Sequence, residues 1–179
     1  MQPSRVLIIE DDAISLNTLS STVRLKLPQA HIETADSALT ALERIRSMDY
    51  AAIVCDAHQP RLEGIGFVRA VEKIRPECPV LLLLEKQQED LFRQAIQAGA
   101  YDVLIKPVEE DAFLLAIRRA IEVSRLRRQV KREHSQLMDS VGRVMKDLEV
   151  LYGAYGLHSH FEALMASVNL EKAALSTEG

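Results

Sequence analysis

Residues 5–12 read RVLIIEDD: four consecutive apolar residues, Val6–Ile9, then three carboxylates. An apolar run this short, without polar alternation, fits a strand buried on both faces, as in a parallel sheet covered by helices on each side. Working outward, residues 14–27 place Leu16, Leu19, Val23 and Leu27 at helical spacing, and residues 32–35 form a second short strand. Leu42, Ile45 and Met48 mark one face of a helix over 38–48. Further apolar runs stand at 51–55, 80–84 and 103–105, with helices expected at 66–74 and 89–98. Gly99 suits the end of the latter helix, and Pro79 precedes a strand, where its missing N–H costs little. Alternating strands and helices imply right-handed crossovers and an α/β, doubly wound, five-stranded parallel sheet.

From Glu109 the pattern is helical, and it runs on to a break expected at Gly153 and Gly156. Phe113, Leu114, Ile117 and Ile121 can pack on the sheet. Beyond them Val130, Leu137, Val141, Val144, Leu148 and Leu151 follow near-heptad spacing, with Arg127 and His134 at other seam positions. Such a seam suits a coiled coil or a helical hairpin. Ser159 with Glu162 fits a capping box opening a last helix through about Leu175. The expected division is a domain over 1–122 and a long helical C-terminal extension over 123–179.

Composition narrows the function. Hydrophobic residues make up 47% of the 179, enough for a core, but aromatics are only 4% and Trp is absent, so that core is aliphatic. The net charge of −4 argues against general nucleic-acid binding. Residues 1–122 carry 19 acidic and 14 basic side chains, net −5; residues 123–179 carry 7 and 8, net +1. Cys55 and Cys78 cannot make a disulfide framework, and Cys55 reads as a buried free thiol. There is no signal-peptide pattern and no run near the roughly 20 apolar residues of a membrane span. A cytoplasmic location is the expectation.

In doubly wound sheets, ligands sit at the carboxyl ends of the strands. Glu10, Asp11 and Asp12 follow the first strand, Asp56 the third, Leu84 and Glu85 the fourth, and Lys106 with Pro107 the fifth. Clustered carboxylates repel one another and select a hard cation such as Mg²⁺. A lysine at the same point can hold a phosphoryl oxygen, and a carboxylate in line with a phosphodonor can act as nucleophile.

The ordered set VLIIEDD, VCDAHQPRLEGIGF, PVLLLL and GAYDVLIKP resembles the receiver domain of response regulators over about residues 4–122. The resemblance implies a flavodoxin-like sheet in the order 2-1-3-4-5. It implies Asp56 as phosphoacceptor, with Mg²⁺ held by Glu10, Asp11, Asp56 and the backbone carbonyl of His58. It implies that Lys106 contacts the phosphoryl group, that the Lys106–Pro107 bond is cis, and that Pro60 and Gly64 belong to the loop after the phosphoacceptor. Four positions depart from the family pattern. Leu84 stands where a Thr or Ser donates to the phosphoryl group, and Glu85 where a small residue is usual. Val103 replaces the switch aromatic, with Tyr101 out of register, and Gln59 replaces a Met. The acceptor is retained and the relay is altered.

These features give the expected function: a receiver in a two-component phosphorelay, not an enzyme. It would be phosphorylated on Asp56 by a histidine kinase or phosphotransfer protein. It would signal to an unknown downstream protein through helical contacts, with a homodimer through the C-terminal helix possible. The alternative is a phosphorylation-independent pseudo-receiver acting as a dimerising scaffold. A phosphatase ranks low, because His58 stands where a second acid/base carboxylate would follow Asp56. A DNA-binding role is also disfavoured, because residues 123–179 show no helix-turn-helix pattern. Bland readings suit His58, a solvated loop residue, and His158 and His160, surface residues at a helix start. The basic run Arg125, Arg127, Arg128, Lys131 and Arg132 reads as a solvated face or a patch for the domain's own acidic surface. Whether an output domain lies beyond Gly179 stays open.

Overall fold

The computed structural model describes residues 4–59, 62–88, 91–154, 159–160 and 162–166. Five strands, β1 (Ser4–Ile9), β2 (Ala30–Ala35), β3 (Ala52–Asp56), β4 (Val80–Glu85) and β5 (Asp102–Lys106), form one parallel sheet in the order β2-β1-β3-β4-β5. Helices α1 (Ala13–Lys26), α2 (Ala38–Ser47), α3 (Gly64–Ile74), α4 (Leu91–Gln97) and α5 (Glu110–Ala154) alternate with them or follow. The doubly wound architecture is the one the sequence implies.

The inner segments 6–9, 52–55 and 80–84 are apolar at successive positions because each has two faces to bury. Leu7, Ile9, Ile53, Cys55, Leu82 and Leu84 join a cluster with Ala41 and Ile45 of α2, Phe67 and Val71 of α3, and Ala95 of α4. The intervening residues Val6, Ile8, Ala52, Val54, Leu81 and Leu83 meet Val23 of α1 and Phe113, Ile117 and Ala120 of α5. A one-residue register slip would exchange these sets, so the two-sided core fixes the pairing.

Helix starts carry local signals. Asp12 caps α1 by accepting from the Ser15 N–H at 2.8 Å, and Ser37 caps α2 through the Thr40 N–H at 3.3 Å. Helix α3 begins at Gly64, two residues before the expected start. The Gly64 N–H donates to the Ala57 carbonyl at 3.0 Å, and a Cβ there would lie 2.7 Å from the Ala57 Cα. Only glycine lets this helix start against the loop that follows Asp56. Gly99, at φ +100°, ends the α4 segment; the Ala100 N–H reaches back to the Ala95 carbonyl at 3.0 Å.

The chain forms two compact units, Met1–Gln129 and Val130–Gly179. The first extends past residue 122 because α5 is tied down there. Ser124 is buried, Arg127 donates to the Pro76 carbonyl at 3.1 Å, and Arg128 donates to the Tyr50 carbonyl. These two arginines therefore hold loops at the amino-terminal ends of β3 and β4, so within a basic run read as a solvated face or a patch for the domain's own acidic surface they are not simply solvated. In the second unit α5 runs through Gly153 to Ala154 instead of breaking there. Ser159, His160 and residues 162–166 are helical; the expected end near Leu175, like His158 and Pro60, lies outside the described residues. No helix among the described residues is long and apolar enough to cross a membrane.

Candidate functional site

The carboxyl ends of β1, β3 and β5 bring Glu10 and Asp11, Asp56 and Lys106 together. Glu10 and Asp56 are buried, at 2% and 4% exposure, and Asp11 is exposed beside them. One carboxylate oxygen from each of the three lies within 4.8 Å of the other two. The Lys106 ammonium donates to Glu10 Oε2 at 2.9 Å, lies 3.0 Å from Asp56 Oδ1, and lies 3.6 Å from Glu85 Oε1. Asp56 Oδ1 is buried and, among the described residues, its contact with the ammonium is an ion pair without a well-aligned hydrogen bond.

Burial pushes the Glu10 carboxyl up, reinforced by the nearby Asp56 charge and opposed by the Lys106 hydrogen bond. Burial alone would push Lys106 down. The Glu10 hydrogen bond, the close Asp56 contact and the charges of both carboxylates outweigh it and hold the ammonium above its ordinary value. The Cys55 thiol beside them is raised well above the usual range by burial, then by the charges of Asp56 and Glu10. It donates to the Asp56 carbonyl at 3.2 Å and stays an inert thiol.

The donor set fits a hard divalent cation. Three carboxylates crowd one point with a single lysine to offset them, all ligand atoms are oxygen, and a buried Asp56 oxygen lacks a well-aligned hydrogen bond. His58 is exposed and lines a cavity with Gln59, Glu63 and Leu91. The Gln59 Oε1 accepts from the Ala38 N–H at 3.2 Å, joining the loop after β3 to the start of α2, while its buried Nε2 has no partner. The Lys106–Pro107 bond is cis.

Leu84 is fully buried and Val103 nearly so, both within one apolar cluster. Neither can donate a hydrogen bond towards Asp56. Glu85 belongs to β4 and stands opposite Lys106 in the β4–β5 register. Its ion pair with that lysine is the site contact that reading the sequence missed. The signal existed only in the strand register, which a sequence read one strand at a time does not supply.

The response regulator receiver domain matches this chain over residues 6–118. The chain belongs to that family. It is therefore a receiver domain of two-component signalling. This receiver is 34% identical over 124 residues to the C4-dicarboxylate transport transcriptional regulatory protein DctD of Pseudomonas aeruginosa, a match covering 69% of the chain and 26% of that protein. It is 27% identical over 121 residues to the transcriptional regulatory protein ZraR of Klebsiella oxytoca, covering 68% and 27%. The chain thus spans about a quarter of the length of these curated relatives. Among solved structures, a receiver domain protein from Clostridium thermocellum aligns with a TM-score of 0.64 at 25% identity, covering 69% of this receiver and 98% of that chain. The beryllofluoride-activated NtrC4 receiver domain dimer aligns with a TM-score of 0.62 at 29% identity, covering 67% and 98%.

Proposed function

We propose that this receiver accepts a phosphoryl group on Asp56 from a histidine kinase or phosphotransfer protein and passes its state on through α5. The observation that carries this reading is Asp56 itself: a buried carboxylate at a strand end, 3.0 Å from an ammonium, clustered with Glu10 and Asp11, and lacking a well-aligned hydrogen bond on Oδ1. Glu10, Asp11, Asp56 and the His58 backbone carbonyl would hold Mg²⁺. Bound there, the cation would neutralise charge on the transferred group. Asp56 supplies the attacking oxygen, and the burial of its surroundings limits competing water. Lys106 is held at the strand edge by Glu10, close enough to Asp56 to meet a phosphoryl oxygen.

The output is proposed to be helical. Val130, Leu137, Val141, Val144 and Leu151 are all exposed along the second unit, with Val130, Leu137, Val144 and Leu151 seven residues apart and Val141 between two of them. This is the seam that a second copy of the chain would cover in a coiled coil. A second reading is favoured by Leu84 and Val103, which are committed to the apolar core. In it the chain is a phosphorylation-independent scaffold assembled through the same seam.

Intact mass after incubation with a small acyl-phosphate donor, with and without Mg²⁺, tests the first reading beside Asp56→Asn. A Mg²⁺-dependent phosphoryl adduct absent from the variant is expected. Metal binding without any adduct would leave the scaffold reading.

A further inference from the structure

We propose that Glu85 is a positioning residue that competes with a phosphoryl group for Lys106, making phosphorylation of Asp56 short-lived. The inference rests on the phosphoacceptor reading above and extends it to a residue outside the acidic cluster.

The observation is the sharing of one lysine. Lys106 Nζ lies 2.9 Å from Glu10, 3.0 Å from Asp56 and 3.6 Å from Glu85. Glu85 is not adjustable in the way a loop residue would be. It is the last residue of β4, register-paired with Lys106, and the preceding Leu84 is fully buried. The sheet thus fixes both backbones side by side, and the half-exposed carboxylate reaches the ammonium from the solvent side.

Phosphorylation changes the charge that Glu85 faces. With a small acyl-phosphate donor, an Asp56 oxygen attacks phosphorus, the donor's P–O bond breaks, and the donor's carboxylate leaves with the bonding pair. Asp56 becomes an acyl phosphate carrying about one more negative charge than the carboxylate it replaces. That group needs Lys106. Glu85 draws the ammonium away and adds its own repulsion, and Leu84 offers no hydroxyl in compensation. In hydrolysis a water oxygen attacks phosphorus, the Asp56 carboxylate leaves, and the water proton passes to phosphate or solvent. Loosening Lys106 from the phosphoryl oxygens favours the return to this carboxylate state. A divalent cation is affected oppositely. Glu85 adds negative charge near the cluster and occupies the lysine that otherwise repels the cation.

Two readouts of opposite sign separate this role from a merely structural one. In Glu85→Gln, which keeps the side chain's shape, the half-life of the phosphoryl adduct should lengthen by roughly 3- to 10-fold, the range expected for one screened charge at this separation. Calorimetric titration of the same variant with Mg²⁺, without a donor, should show several-fold weaker binding, and Glu85→Asp should restore both values towards wild type. An equal half-life in wild type and Glu85→Gln overturns the inference while leaving Asp56 as acceptor. Weakened Mg²⁺ binding with a shorter half-life overturns it as well, because the two effects would then share a sign. No adduct on any variant overturns the phosphoacceptor reading, and this inference with it.

Discussion

Leu84 shows how one side chain can serve the core at the cost of the chemistry. It is fully buried with Leu82 and Val103 on the face covered by α2, α3 and α4. Leu84→Thr would place a hydroxyl where the family resemblance expects a donor. It would also remove packed methyl groups and bury a polar atom. The variant should therefore be less stable by about 3 kcal/mol, measured by urea denaturation, yet its phosphoryl adduct should persist longer than that of wild type. A shorter-lived adduct would show that the site lacks room for the hydroxyl to point at Asp56. At this scale the sequence was informative wherever residue type decides chemistry. Glu10, Asp11, Asp56 and Lys106 stand out because four charged groups end three apolar runs. Asp12 as the α1 cap and Glu85 as a partner of Lys106 depend on local geometry and cross-strand register, which composition does not encode.

Elements were legible through their periodicity, and their ends were not. Strands β1 to β5 and helices α1 to α5 follow from the spacing of apolar residues. The start of α3 at Gly64, however, is set by close approach to Ala57, and the last residue of β4 by its pairing with Lys106. Helix α5 combines two such patterns. Its first turns bury Phe113, Leu114 and Ile117, whereas Val130, Leu137, Val144 and Leu151 recur every seven residues with exposures of 65, 62, 58 and 53%. Met138 and Met145 stand next to Leu137 and Val144, widening the apolar stripe. Burying one such seam against another copy removes apolar surface that the single chain leaves in water. Val144→Asp should abolish this association by placing a charge in the seam. Sedimentation velocity is expected to show a dimer for wild type and a monomer for the variant, with unchanged melting of the receiver unit. A monomeric wild type at tens of micromolar would remove the second copy as the seam's occupant.

Across the whole molecule, a two-faced aliphatic core leaves both thiols in the interior, and this ties folding to alkaline pH. Burial raises Cys55 well above the ordinary thiol range. Burial also pushes Cys78 up to about 12, opposed by the Arg128 charge on α5. In the unfolded chain both titrate near 8.5. Between that value and the folded one, the native state binds more protons than the unfolded state. The contribution is therefore fully present below about pH 8.5 and is lost as pH rises towards 12, at about 1.4 kcal/mol per pH unit for each thiol. Tyr50, raised by burial and its hydrogen bond to Glu33, and Lys106, raised by its carboxylate partners, share this direction. Their unfolded values lie near 10, so they add to the loss only above that pH. Denaturant midpoints between pH 8.5 and 10 thus report mainly the thiols. Cys78→Ala should start from a lower stability, because it opens a small cavity, but lose stability with pH at about half the wild-type slope. An unchanged slope would mean that the Cys78 thiolate is already accommodated beside Arg128 in the folded chain, and that the clamp tying α5 to Tyr50 tolerates a buried charge.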